Sequence, residues 1–118
     1  PITLNRWKMR QGEIWMAELN PVRGSEQAGY RPVVIISGDL LNTFAPVLIC
    51  CPLTTSIKSY KGNVILEPTA ENGLKHVSEI MVYHVRSLSK NRLVERVGHV
   101  PETVVKQLHQ TMQILLTT

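Results

Sequence analysis

Arg31 is the residue whose neighbours best equip it for chemistry. It lies in the stretch Gly24-Ser25-Glu26-Gln27-Ala28-Gly29-Tyr30-Arg31-Pro32-Val33-Val34-Ile35-Ile36, a polar loop that runs into an apolar segment. Gly24 and Gly29 permit backbone angles that other residues resist. Pro32 pushes Arg31 toward an extended conformation, and the β-branched run after it suits a buried strand. A guanidinium is thus held at the mouth of a strand beside hydrogen-bonding groups. That suits capture of an anion, because arginine offers five donors in a rigid fork. Read alone, the stretch is better taken as a surface loop with one solvated arginine.

A second polar loop, Thr54 to Gly62 (TTSIKSYKG), carries Lys58, Tyr60 and Lys61. Cations beside an aromatic ring suit single-stranded RNA, whose phosphates need neutralising and whose bases stack; the other reading is a solvated loop. His76, His99 and His109 are scattered without metal-binding spacing. There is no Walker-type loop, G-x-S-x-G elbow or Cys/His nucleophile pattern. Cys50 and Cys51 are adjacent, so on a strand they point to opposite faces. A disulfide between them would be strained and a zinc site poorly spaced, which leaves buried or half-buried free thiols.

The elements that must position these groups follow from the pattern. Gln11 to Leu19 reads as a first strand with apolar groups on both faces, and Asn20 to Tyr30 as a long loop of the kind that often carries function. Arg31 to Ser37 is a second strand, Gly38-Asp39 a turn, and Leu40 to Pro46 irregular. Val47 to Leu53 is a third strand, whose Pro52 belongs at an edge or bulge. Asn63 to Glu67 is a fourth. Ser78 to Leu88 reads as strand throughout, Lys90 to Leu93 as a short helical turn, and Arg96 to Val100 as a last short strand. Pro101 and Glu102 open a helix, on which Val105, Leu108, Met112 and Leu115 form one core-facing stripe. Many short strands and one terminal helix predict a small, mainly antiparallel barrel.

With 118 residues the chain is expected to form one domain, residues 1–118, small enough for oligomerisation to help it. The formal net charge of +4 favours a polyanion or an acidic polypeptide as partner. No apolar run is long enough to span a membrane, and the polar breaks in Pro1 to Arg10 do not read as a signal peptide, so a cytoplasmic location and no membrane partner are expected. A start at Pro1 fits either removal of an initiator methionine or a cloning remnant.

The string GSEQAGYRPVVIIS, preceded by Gln11-Gly12-Glu13-Ile14-Trp15 and Leu19-Asn20-Pro21, resembles the MazF/PemK-like toxins, ribosome-independent endoribonucleases of bacterial toxin–antitoxin pairs. The resemblance runs from about Met9 to the last helix. It implies a mainly β, SH3-like antiparallel barrel with a C-terminal helix, usually a homodimer, inhibited by a cognate antitoxin through an acidic or amphipathic tail. It implies sequence-specific cleavage of single-stranded mRNA without a metal or other cofactor.

Such cleavage needs a group to take the 2′-hydroxyl proton, one to protonate the leaving 5′-oxygen, and one to stabilise the phosphorane. The resemblance points to Arg31, Thr54 and Glu26 as catalytic. Arg31 suits charge stabilisation and is a poor base, being always protonated. Thr54 suits donation to a phosphate oxygen. The base is left open. Glu26 is one candidate; His84 is another, because Tyr83-His84 stands before Arg86 where many relatives carry an acidic residue and glutamine. Expected RNA contacts are Ser25, Gln27, Lys58, Tyr60, Lys61, His84 and Arg86. The alternative is a non-enzymatic toxin on the same barrel that poisons DNA gyrase. That action is associated with a terminal Trp-Gly-Ile, where this sequence reads Ile114-Leu115-Leu116-Thr117-Thr118.

Overall fold

A computed structural model describes residues 8–19 and 29–118. Seven strands, β1 (Glu13–Glu18), β2 (Tyr30–Ile35), β3 (Val47–Thr54), β4 (Val64–Leu66), β5 (Ser78–Ile80), β6 (Arg86–Ser89) and β7 (Leu93–His99), are joined by a short helix α1 (Asp39–Phe44) and followed by helix α2 (Glu102–Thr117). The strands make one curled antiparallel sheet in the order β4-β5-β3-β2-β1-β7, with β6 also paired to β3. Register shifts between Ile14 and Trp15 and between Met16 and Ala17 interrupt the β1–β7 ladder. Such bulges increase local twist and help to wrap the sheet into a half-barrel.

The curled sheet has two apolar faces, and alternation assigns residues between them. On one, Ile14, Val34, Cys51 and Leu53 pack with Val105 and Leu108 of α2. On the other lie Trp15, Ala17, Val33, Ile35 and Cys50. The adjacent cysteines therefore enter different cores, both buried and both free. β1 is covered on both sides, as its sequence predicts. The helix stripe is core-facing only in part: Val105 and Leu108 are buried and Met112 packs against them, whereas Leu115 is 46% exposed.

Three other expectations are corrected. The stretch after Gly38 is not irregular, because Asp39–Phe44 is helical. Buried Asn42 secures it by donating to the Ser37 carbonyl at 2.8 Å. Ser78 to Leu88 is not one strand. β5 pairs Ile80 with Leu53 and β6 pairs Arg86 with Cys50, so five residues on one side face two on the other. The excess of three is taken up by a 3₁₀ turn, Val82–His84. Pro52 sits at this changeover, an interruption of the ladder of the kind its sequence predicts. Its carbonyl accepts Met81 N–H at 2.8 Å, so its missing N–H falls on the side where the partner strand breaks. The last strand is also longer than expected, Leu93–His99. The loop before β5 lies hard against β7: a Cβ at Gly98 would come within 2.4 Å of the Glu71 carbonyl oxygen.

Candidate functional site

Arg31 is the second residue of β2 and half-buried. The loop before it is closed at its base by Leu19 N–H donating to the Gly29 carbonyl at 3.0 Å. β2 and β3 pair with Val33 opposite Pro52 and Val34 opposite Cys51. The ladder is formed as far as Val33–Pro52; beyond it Arg31, which pairs with Ala17, and Thr54 fall by alternation on the face that holds Val33 and Cys50. Thr54 ends β3 and is 8% exposed. Its Oγ1 accepts Ser56 N–H at 3.1 Å, which turns the chain out of the strand. The hydroxyl hydrogen is left to donate elsewhere.

From Thr54 a row of paired residues runs across the sheet. Thr54 pairs with Glu79 of β5, and Glu79 with Ile65 of β4. Glu79 is fully buried. One carboxylate oxygen accepts Lys58 N–H at 2.7 Å and Ser59 N–H at 2.9 Å. The other accepts Tyr60 N–H at 3.0 Å and Asn63 Nδ2 at 2.8 Å. Burial by itself would raise the pKa of Glu79, but the donors from Asn63, Lys58, Ser59 and Tyr60 outweigh it and hold the carboxyl below its ordinary value. So the carboxylate nearest Thr54 in this row is an anchor, already engaged by four donors, and does not suit proton transfer. It folds the 58–60 backbone over the row, tightly enough to hold Ser59 at φ 57°.

That anchoring places the second loop. Lys58, Tyr60 and Lys61 are exposed. The Tyr60 ring lies 6.3 Å from that of Tyr83, the planes 11° apart, and Tyr83 Oη donates to the Lys61 carbonyl at 2.9 Å. His84 is half-buried and sits in the 3₁₀ turn rather than on a strand. Arg86 stands opposite Cys50, on the same face as Arg31 and Thr54 but four residues along β3, about 13 Å away at the usual strand rise. The two arginines therefore occupy separate points along one face. Burial pushes both thiols up to about 12, opposed at Cys50 by Arg86 and reinforced at Cys51 by Cys50. They remain protonated and inert near neutral pH. Ser25, Glu26 and Gln27 lie outside the described residues. Among those described, no three His, Cys, Asp or Glu are grouped to hold a metal ion.

On the opposite face of β2, Tyr30, Pro32, Thr55, His76, Ser78 and Glu95 help to line a cleft of about 390 Å³. Its link to the Thr54 row is Thr55, next to Thr54. Sequence reasoning missed this cleft, and it missed Glu79, Asn63 and Tyr83. The only local signal for Glu79 was a charge within an apolar β-type run, Ser78-Glu79-Ile80-Met81-Val82.

Residues 10–116 match the family described as PemK-like, MazF-like toxin of type II toxin–antitoxin system. The chain is 32% identical to endoribonuclease EndoA of Bacillus subtilis over 92% of its own length and 94% of the relative's. It is 36% identical to endoribonuclease MazF of Staphylococcus saprophyticus, over 92% and 91%. A crystal structure of MazF from Deinococcus radiodurans superposes with a TM-score of 0.80 at 27% identity, covering 93% of this chain and 97% of that one. A MazE–MazF crystal structure from the same organism superposes at 0.72 with 26% identity and the same coverage. The described geometry and these likenesses agree, and the chain belongs to the PemK-like, MazF-like toxins of type II toxin–antitoxin systems.

Proposed function

We infer that the protein is a sequence-specific, metal-independent, ribosome-independent endoribonuclease that cuts single-stranded mRNA and acts as the toxin of its pair. The observation that carries this reading is that Arg31 of β2 and Thr54 of β3 lie on one face of neighbouring strands, with a basic and aromatic loop anchored at Glu79, the residue paired with Thr54. The names of the endoribonuclease relatives support it. A gyrase-poisoning role has no observation in its favour.

In this mechanism the substrate supplies the nucleophile. The 2′-hydroxyl next to the scissile phosphate attacks phosphorus, the P–O5′ bond breaks, and the products are a 2′,3′-cyclic phosphate, or the 3′-phosphate it hydrolyses to, and a 5′-hydroxyl. Arg31 stabilises the charge on the phosphorane, in the manner of a preorganised oxyanion donor. Thr54 donates to a phosphate oxygen. Glu79 and both thiols are unsuited to take the proton, and His84 and Glu26 are the candidates for the base. Ser25, Gln27, Lys58, Tyr60, Lys61, His84 and Arg86 contact the RNA. The protein works as a cytoplasmic homodimer and is inhibited by a cognate antitoxin whose acidic tail follows the basic face.

Incubating the purified protein with a long RNA in EDTA tests this. Discrete cuts bearing 5′-hydroxyl ends are expected, and intact RNA would refute the assignment.

A further inference from the structure

Tyr60, already named among the RNA contacts, is paired with a second exposed tyrosine, Tyr83. Tyr60 and Tyr83 are 49% and 54% exposed, yet their rings are nearly parallel, 6.3 Å apart and at 11°. Aromatic rings on a mobile loop do not hold such an arrangement without support. Here both carriers are fixed. Tyr60 N–H is bonded to the buried Glu79 carboxylate. Tyr83 sits in a 3₁₀ turn whose first residue, Val82, donates its N–H to Asn63 Oδ1 at 2.9 Å, and Tyr83 Oη is bonded to the Lys61 carbonyl. The rings are presented to solvent already ordered, so a ligand stacking on them loses little further freedom.

We propose that Tyr60 and Tyr83 form a stacking platform for a nucleobase of single-stranded RNA, in a reading that rests on the endoribonuclease assignment. The surroundings favour this occupant. Lys58 and Lys61 are exposed on the loop that carries Tyr60, and Tyr83 is bonded to the Lys61 backbone, which suits a flat group tethered between two phosphates. The Glu79 anchor of Tyr60 is opposite Thr54 in the strand register, so a strand of RNA lying at Arg31 and Thr54 passes the platform. Every base has a π-face, so the platform supplies affinity with little sequence preference.

The test measures binding of a fluorescein-labelled, fully 2′-O-methylated single strand spanning a mapped cut site, by anisotropy, alongside cleavage of a long RNA by the same proteins. Tyr60→Leu and Tyr83→Leu each weaken binding about tenfold, within the range seen when a base loses an aromatic partner. The loss is the same at low and high salt, because stacking releases no counterions, whereas Lys58→Ala and Lys61→Ala reduce the salt slope. Tyr83→Phe restores the ring without its bond to Lys61 and rescues most of the binding. Thermal unfolding verifies that each variant is folded. Unchanged affinity in both leucine variants, with wild-type protein that cuts and binds, overturns the platform alone. So does unchanged RNA binding combined with lost inhibition by the antitoxin, which would assign the rings to a protein partner. Wild-type protein that neither cuts nor binds RNA removes the endoribonuclease assignment, and the platform with it.

Discussion

Asn63 donates its side-chain amide to the Glu79 carboxylate at 2.8 Å, across 16 residues of chain. Through its other side-chain atom the same asparagine accepts Val82 N–H at 2.9 Å. One amide thus ties the loop after β3 both to β5 and to the turn that separates β5 from β6. The loop's exposed cations owe their placement to a buried carboxylate that itself touches no solvent.

Glu79→Gln puts an amide group where two N–H donors converge. A buried donor left unsatisfied costs about 1–3 kcal/mol, so a loss of about 2–3 kcal/mol is expected in urea unfolding near neutral pH. Amide exchange at Lys58, Ser59 and Tyr60 should accelerate, while that of Leu108 changes only by the global loss. Unaltered exchange at the three loop amides would refute the anchor.

The same carboxylate makes stability depend on pH in a defined direction. Its native pKa lies below the ordinary 4.5, so as pH falls the unfolded chain takes up the proton first. Its contribution is complete above about pH 5 and is lost as pH drops through the native value. The stability gap between wild type and Glu79→Gln should therefore narrow on acidification, since a protonated carboxyl resembles the amide. Denaturant curves from pH 6 down to pH 3 check this; a gap that widens would reverse the sign.

Much of this was legible in the chain because the signals are local. The β-branched run Val33 to Ile36 marks β2, and Pro101 with the spacing of Val105 and Leu108 marks α2. Arg31 stood out through the family string, and Thr54 was singled out only by the wider family resemblance. Apart from α1, what escaped notice depends on pairing between distant segments. α1 is too short for periodicity to show, and it is held by Asn42 reaching back to Ser37. The residues of Ser78 to Leu88 favour strand throughout, and only the partner strand β3, with two residues where this side has five, forces the turn. Glu79 becomes meaningful once Lys58, Ser59 and Tyr60 are folded onto it. Its own neighbourhood shows a charge in an apolar run but not what that charge holds.

Gly98→Ala should destabilise the protein without altering the face that carries Arg31. The added Cβ would lie 2.4 Å from the Glu71 carbonyl oxygen and 2.5 Å from Asn72 backbone atoms. Both are backbone, so the loop must shift. His99 N–H, now bonded to that same carbonyl at 2.9 Å, would lose its partner. Overpacking of this kind costs about 1–3 kcal/mol. Thermal unfolding measures it, and a variant as stable as wild type would show that the loop moves freely off β7.

The last prediction concerns the division of labour between Arg31 and Thr54. Arg31→Ala should lower the cleavage rate on the order of a hundredfold or more, the usual cost of removing a preorganised donor to a developing charge. Thr54→Ala should also lower it, by a smaller factor, and Thr54→Ser, which keeps both the hydroxyl and the bond to Ser56 N–H, should restore most of the loss. If both residues act on a phosphorane formed by the 2′-hydroxyl, a single deoxy nucleotide on the 5′ side of the scissile bond should abolish cutting while leaving binding intact. The neighbouring hydroxyl is held next to phosphorus by the sugar itself, the advantage of proximity that no external nucleophile enjoys. An oligonucleotide with that one substitution, compared with the all-RNA strand in EDTA, gives the answer. Equal cutting of both strands would mean that the nucleophile comes from elsewhere, and Arg31 and Thr54 would then be contacts that bind the strand rather than groups that act on the reacting phosphate.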